Sequence, residues 1–383
     1  MSAHVFLVAV EASADALGAA LMRQLRQQDR AIRFSGIGGP LMAQEGLISL
    51  FDPTPLAIIG MTEVLRVIPL ALRRAAQAAD AALAAGPDIA VLIDAWGFTT
   101  QIAKRLRARG ARFPVLKYVG PQVWAARPGR ARKSAAMYDG LIALFEFERP
   151  FYAPYALPIA VCGMAALQSS LRGDGAAFRR AHGLEGRVLL LAPGSRPGEI
   201  QRVAPVLEEA AAQICAACPD VQVVCCVAPS VREAVEARAQ NWGFPHFLVL
   251  DPAQKHAAFA ASDIALAASG TVTSEIAMQS VPVIVGYRVG ALTAALMRPV
   301  FKAPFINLMN IAAGRMIVPE FVQEAFTSGA IRAAALQLLG NPRARELQIA
   351  AQEAALDRLG RQGCAEEIAA QMVLATISRR KSA

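Results

Sequence analysis

The chain carries many short apolar runs that do not alternate with polar residues, and this limits its fold more than any other feature. VFLVAV, IRFSGIG, DIAVLID, FPVLKYV and DGLIALF come first; PIAVC, RVLLLAP, VQVVCCVA, HFLVLD, DIALAA and PVIVGY follow. A strand with one wet face alternates, whereas a strand that is apolar throughout is covered on both faces, as in a parallel sheet between helices. Long Ala- and Arg-rich helical stretches separate the runs. Strands and helices in alternation predict an α/β, doubly wound architecture. About eleven strands exceed one such unit, and 383 residues fit two domains. The stretch Met164 to Gly186 has helical character without a strong strand and can hold the linker. This predicts Rossmann-like domains over 1–165 and 166–363. Two such domains facing each other leave a cleft beyond the carboxyl ends of their strands, so the residues just after each strand are the ones to inspect.

Composition narrows the function classes. Hydrophobic residues make up 55% and charged ones 18%, which excludes wholesale disorder. A net charge of +9 suits phosphorylated small molecules, anionic membrane surfaces or nucleic acid. No aromatic-and-basic recognition motif speaks for nucleic acid. Of the 6 cysteines, Cys215 and Cys218 form a CxxC, but no second pair or nearby histidine completes a zinc set. All read as reduced core thiols, in keeping with a cytoplasmic protein. The N-terminus lacks a basic n-region, and no uninterrupted apolar run reaches membrane-spanning length, so any membrane contact is expected to be peripheral.

Four loops carry the chemistry. Asp94 ends DIAVLID; it is either a general base or a cap for the following helix, where Thr99 is better spaced to cap. After RVLLLAP, the run GSRPGEI offers Gly194 and Ser195 for close backbone approach. Its helix start and Arg196 give an anion site; the alternative is a plain turn with a surface arginine. It is no Walker A loop, because the lysine is missing. After DIALAA, Ser269, Gly270 and Thr271 open a helix, and Glu275 can accept ribose hydroxyls or simply favour the helix dipole. After VFLVAV, the turn VEASAD has no glycine. Its Glu11, Ser13 and Asp15 either face a ligand or cap the next helix.

The segment Pro55 to Arg74 is apolar with interspersed arginines. Ile58, Ile59, Met61, Val64, Leu65, Ile68 and Leu72 can cluster beside Arg66, Arg73 and Arg74. Such a stripe either lies in a membrane interface or faces a core, and Pro69 is expected to interrupt it.

The chain resembles the lipid-A-disaccharide synthase family, inverting glycosyltransferases of the GT-B class. GIGGPLMAQEG, LAIIGMTEVL, IDAWGF, YVGPQVWA, FEFERPFY, PGSRPGEI, ASGTVTSE, VGYR, INLMNIAAGR and VPEFVQ carry the resemblance, in the family's order. It implies transfer from UDP-2,3-diacylglucosamine to 2,3-diacylglucosamine 1-phosphate, giving a β-1,6-linked disaccharide and UDP, without metal or other cofactor. Asp94 then matches the general base, Arg196 the arginine supporting the diphosphate, and Asn310 a polar residue near the donor. Gly194, Ser195, Ser269, Gly270, Thr271 and Glu275 fall to the UDP site, with Glu11, Ser13 and Asp15 on the acceptor side. Both substrates are lipids, so the resemblance implies a peripheral location on the inner face of the inner membrane, with Ile59, Val64, Leu65, Ile68 and Leu72 as contacts. A homodimer is left open. By analogy with GT-B folds, helix 364–383 is expected to cross back to the first domain.

Departures from the family pattern gather in the first half. Val10 and Ala14 replace the glycines of a GExSGD-like turn, Gly97 stands where a second acid is usual, and Gly163 where a histidine is usual. They motivate a second reading, a UDP-sugar transferase or epimerase with a changed acceptor, and a third, an inactive paralogue that binds nucleotide or membrane.

Overall fold

The computed structural model describes residues 3–56, 61–169 and 171–382. The chain divides into two compact units, one of Met1–Gln168 with Gln362–Ala383, the other of Ser169–Arg361.

The first unit is a parallel sheet of six strands: β1 (His4–Val8), β2 (Arg33–Ile37), β3 (Ile89–Ile93), β4 (Val115–Tyr118), β5 (Gly140–Ala143) and β6 (Ile159–Val161). Their order is β2-β1-β3-β4-β5-β6. Both faces are buried, which explains the missing alternation. Val5, Leu7, Ile89, Val91 and Ile93 pack on one side with helix α1 (Ala12–Gln28) and the C-terminal helix Ala365–Ser382. Phe6, Val8, Ala90 and Leu92 pack on the other side with α3 (Met61–Ala85) and α4 (Trp96–Ala108). A short helix, α2 (Pro40–Gln44), follows β2.

The expected break at Pro69 does not occur: α3 runs through it. A proline removes one intrahelical hydrogen bond. Ala75, Ala78, Ala79 and Ala82 of the same helix are fully buried, and that packing holds the helix beyond the proline.

The second unit is a parallel sheet of β7 (Arg187–Ala192), β8 (Val221–Cys226), β9 (His246–Val249), β10 (Ile264–Ala268), β11 (Val283–Tyr287) and β12 (Glu320–Val322), in the order β12-β11-β10-β7-β8-β9. Counted within the unit, this is the 3-2-1-4-5-6 order of dinucleotide-binding folds read from the other edge. The edge strand β12 has no counterpart among the eleven runs of the sequence.

Strand order now locates the sites. Ligands of open α/β sheets bind at the carboxyl ends of the two strands where the order reverses. In the first unit those strands are β1 and β3, in the second β7 and β10. The loops after them begin at Ala9, Asp94, Pro193 and Ser269.

Candidate functional site

The reversal point of the second unit opens into a cavity of about 490 Å³. Gly194, Ser195, Arg196, Ser269, Gly270, Thr271 and Glu275 all line it, so the donor-side residues expected from the sequence fall in one place, Asn310 excepted. Lys255, Glu199 and Cys226 also line it, and the sequence reading did not single these out.

Gly194 is required twice over. Its φ is +119°, and a Cβ there would stand 2.4 Å from Glu199 Oε2 and 2.7 Å from Glu199 Cβ. Glu199 explains the close approach. Its carboxylate is 8% exposed as a residue and accepts the N–H of Ser195 at 2.9 Å and of Arg196 at 3.2 Å. This corrects one part of the sequence reading. The N–H groups of Ser195 and Arg196, just before helix Pro197–Arg202, are bound by Glu199 and are not free for an anion. The Arg196 guanidinium also lines the cavity; its side chain is 66% exposed, and it reaches an anion while staying 3.4 Å from Glu199 Oε1. The spacing of Arg196 and Glu199, cap and third helical residue, was the signal that the sequence carried for this bond.

The cavity wall from β10 is different. Helix Thr271–Met278 starts at Gly270 without a side-chain cap, so its positive end is open to a ligand. Glu275, one turn in, accepts from Lys255 Nζ, and His256 Nε2 is 3.9 Å away. Burial raises the Cys226 thiol to about 12, so it is a neutral wall group.

Asn310 does not line the cavity. It is fully buried, and all its hydrogen-bonding capacity is spent inside the unit. Its Oδ1 accepts the N–H of Ile317 at 2.8 Å and of Val318 at 2.9 Å; its Nδ2 donates to Val318 O and to Glu320. Glu320 also accepts the N–H of Ile306 and Asn307, and Asn307 Nδ2 donates to Thr273 Oγ1 at 2.9 Å. The network thus ends on the helix that carries Thr271 and Glu275. Asn310 ties the INLMN and VPEF segments together; the expected donor contact is replaced by this frame.

At the reversal point of the first unit, Glu11 follows β1 and Asp94 follows β3. Asp94 and Ala95 both have left-handed backbones, φ 46° and 39°. Neither is glycine, so the turn is strained and needs support. Asp94 is half-buried as a residue, and α4 starts without any side-chain cap. The capping alternative for Asp94 therefore falls. Thr99 does not cap either; its hydroxyl donates back to Asp94 O at 2.9 Å and Ala95 O at 3.1 Å.

Beneath them lies a residue the sequence reading passed over. Lys117 in β4 is fully buried, and its Nζ donates to Asp94 O and, at 2.9 Å, to Thr99 Oγ1. Burial lowers its pKa to about 7, while the charges of Asp94 and then Glu11 pull the other way. Burial of the Glu11 carboxyl, together with the Asp94 charge, pushes Glu11 above the usual carboxylate range, and Lys117 opposes this. The only sequence signal was a lysine inside an apolar strand next to the one that ends in Asp94.

Asp15 belongs to neither site. It is 4% exposed, and its carboxylate accepts the N–H of Gly39 at 2.8 Å, Leu41 at 2.9 Å and Met42 at 3.1 Å. It holds the start of α2, so its acceptor-side role is corrected to a structural one. Ser13 is exposed in the first turn of α1, which has no side-chain cap, so neither Glu11 nor Ser13 caps that helix. Val10 and Ala14 are buried in the core on opposite sides of the sheet, and neither has positive φ. The glycine-free turn is thus ordinary backbone closed by packing. A Cβ on Gly97 would meet open space, and Gly163 follows β6 at φ +77°.

Of the expected membrane contacts, Ile59 lies outside the described residues, as do the side chains of Val64 and Leu65. Ile68 and Leu72 are exposed at 42% and 39%, four residues apart on α3. Among the described residues no helix is long and apolar enough to cross a membrane.

Comparison with known proteins bears on the family and the fold. The lipid-A-disaccharide synthase of Rhodospirillum centenum is 42% identical over 349 residues, covering 90% of this chain and 87% of the relative. That of Nitrobacter hamburgensis is 37% identical over 382 residues, covering 98% and 96%. Among solved structures, the glycotransferase of kitacinnamycin superposes with a TM-score of 0.62 at 17% identity, covering 98% of this chain and 100% of that one. The UDP-GlcNAc 2-epimerase from Neisseria meningitidis bound to UDP-GlcNAc has a TM-score of 0.55 at 12% identity, covering 98% and 99%. Transferase and epimerase share the fold, so fold alone does not separate the two enzyme readings. The sequence relatives do: with these identities, and a family model for lipid-A-disaccharide synthetase that matches residues 5–373, this chain belongs to the lipid-A-disaccharide synthetase family.

Proposed function

We propose that the chain transfers diacylglucosamine from UDP-2,3-diacylglucosamine to the sugar hydroxyl of 2,3-diacylglucosamine 1-phosphate, releasing UDP and the β-1,6-linked disaccharide 1-phosphate. The observation that carries this reading is the division of chemistry between the two reversal points. Carboxylates stand at one; a guanidinium, an open helix start and hydroxyls stand around a cavity at the other. Membership of the family supports the same reaction, and the neighbour bound to UDP-GlcNAc supports a UDP-sugar as the donor.

In this reading Asp94 takes the proton of the acceptor's primary hydroxyl as its oxygen attacks the anomeric carbon. The bond from that carbon to the diphosphate oxygen breaks, its electron pair leaves with UDP, and the configuration inverts. Arg196 and the start of helix Thr271–Met278 stabilise the charge gathering on the diphosphate. Ser195, Ser269 and Thr271 add hydroxyls, Gly194 and Gly270 leave room for the ligand, and Glu275 accepts ribose hydroxyls while Lys255 holds it in place. Glu11 and Ser13 meet the acceptor. Ile68 and Leu72, beside exposed Arg73, dock peripherally on the anionic inner face of the inner membrane together with Ile59, Val64 and Leu65.

The test is a transfer assay in detergent with both lipid substrates, following UDP and disaccharide together. Equal release of both products is expected. UDP binding without disaccharide would overturn the acceptor assignment and favour the changed-acceptor enzyme.

A further inference from the structure

The mechanism above leaves Lys117 unused, although few residues in the molecule are as costly to place. A lysine enters a protein interior only where partners hold it. Here its ammonium donates to the carbonyl of Asp94 and to Thr99 Oγ1, and Thr99 in turn donates to the same carbonyl. The Asp94 N–H donates to Tyr118 O at 2.8 Å, one residue along β4. The main chain of Asp94 is therefore clamped at both its N–H and its C=O by β4 and by the helix it opens. Those are the two places that fix φ and ψ of a residue in a left-handed turn. The charges that face Lys117 come from the Asp94 turn and from Glu11 at the start of α1; the Thr99 hydroxyl from α4 is neutral.

We propose that Lys117 is the positioning residue of the acceptor half-site: it locks the strained Asp94 turn from below and sets a buried positive charge against the Glu11–Asp94 carboxylate pair. This rests on the reading of Asp94 as the base. The charge matters because two neighbouring carboxylates resist being ionised together, and a cation beneath them opposes that resistance. A base must be ionised to accept the acceptor's proton. When it does so with Lys117 charged, the cluster of two carboxylates and one ammonium goes from net negative to neutral. With Lys117 near neutrality, part of this support is already withdrawn at about pH 7.

The test compares Lys117→Met, Lys117→Gln and Asp94→Asn with the wild type in the same transfer assay, with kcat, the KM for the UDP-sugar and the pH profile of kcat. Lys117→Met keeps the volume and removes both donor and charge. It is expected to lower kcat by about tenfold or more, with the donor KM within about twofold, and to move the acid limb of the profile to higher pH by about half a unit or more. Lys117→Gln restores a donor without charge; it should recover part of kcat while the acid limb stays displaced. Where Lys117→Met does not fold, the glutamine variant carries the test alone through its acid limb. An unchanged kcat and acid limb in a variant, while Asp94→Asn is inactive, would overturn the role of Lys117 and leave Asp94 as the base. An acid limb restored to its wild-type position by glutamine would overturn the charge argument. Wild-type turnover in Asp94→Asn would remove the reading on which the inference rests.

Discussion

Gly194→Ala puts the construction of the donor loop to its hardest test. The new methyl group would lie 2.4 Å from Glu199 Oε2 and 2.7 Å from Glu199 Cβ, at a backbone φ of +119° that L side chains rarely adopt. Both problems cannot be relieved at once. Relaxing φ moves the loop off the cavity, and keeping φ forces Glu199 away from the N–H groups of Ser195 and Arg196. The backbone strain costs about 1–3 kcal/mol. A displaced charge-assisted bond costs about 1.5–3 kcal/mol. Together they reach roughly 3–5 kcal/mol, because relaxation of one relieves part of the other. In a unit of this size each kcal/mol lowers the unfolding midpoint by about 2–4 °C, so a fall of roughly 10 °C is expected. Since Arg196 sits on the displaced loop, UDP affinity should fall by about tenfold or more. Calorimetry gives both numbers, as a thermal scan and a UDP titration. A variant that unfolds and binds UDP like the wild type would refute the loop construction, including the role given to Glu199.

Other consequences can be read from single residues. Arg196→Ala should weaken UDP by about 1.5–3 kcal/mol, and the loss should shrink as salt rises; equal affinity by titration would take Arg196 out of the site. Asp15→Ala leaves three N–H groups at the start of α2 without their acceptor, so it should destabilise the first unit by about 2–3 kcal/mol in denaturant while UDP affinity stays the same. Two buried groups give the first unit a pH-dependent stability. Burial raises Glu148 to about 7, so the folded state holds its proton longer than the unfolded chain does, and stability falls as pH climbs from about 4.5 to 7. Burial lowers Lys117 to about 7, so the unfolded chain holds more protons above that point, and stability rises from about 7 until, near 9, the buried Cys162 thiol, raised to about 12, begins to oppose it. Urea melts across pH should show a minimum near neutrality. Glu148→Gln should flatten only the acid side, and a flat wild-type profile would refute both assignments. Ile68→Asp with Leu72→Asp should reduce co-sedimentation with anionic vesicles and leave UDP titration unchanged; unchanged sedimentation would exclude this face as the membrane contact.

The architecture was legible because each central strand is buried on both faces, and such strands are written in Val, Ile and Leu without alternation. β12, with three residues on an edge, has too little sequence to stand out. The loops after β7 and β10 were legible for another reason: small residues and an arginine at a strand end have few purely structural uses. What the sequence hid was how side chains are committed. Asp15, Asn310 and Glu199 are polar residues in motif-rich segments, and each turns inward to satisfy backbone N–H groups. For Asp15 nothing local separates it from a residue that faces a ligand, because its partners lie 24 to 27 residues away. Lys117 was hidden in the opposite way. A single lysine in a strand suggests an edge or a wet face, and only the place of β4 beside β3 puts it under Asp94. The strand order therefore contributed more to the site than any motif did.

In the proposed reaction, chemistry and nucleotide binding are held by different residues on different units. Asp94→Asn tests this division most directly, with turnover and UDP affinity measured on the same preparation. The asparagine keeps the size of the side chain and the clamped main chain while removing the base. Turnover should fall by about 10²–10⁴-fold, with UDP affinity within about twofold of the wild type. Undiminished turnover would show that Asp94 is not the base, and lost UDP binding would show that the two functions are not divided as described.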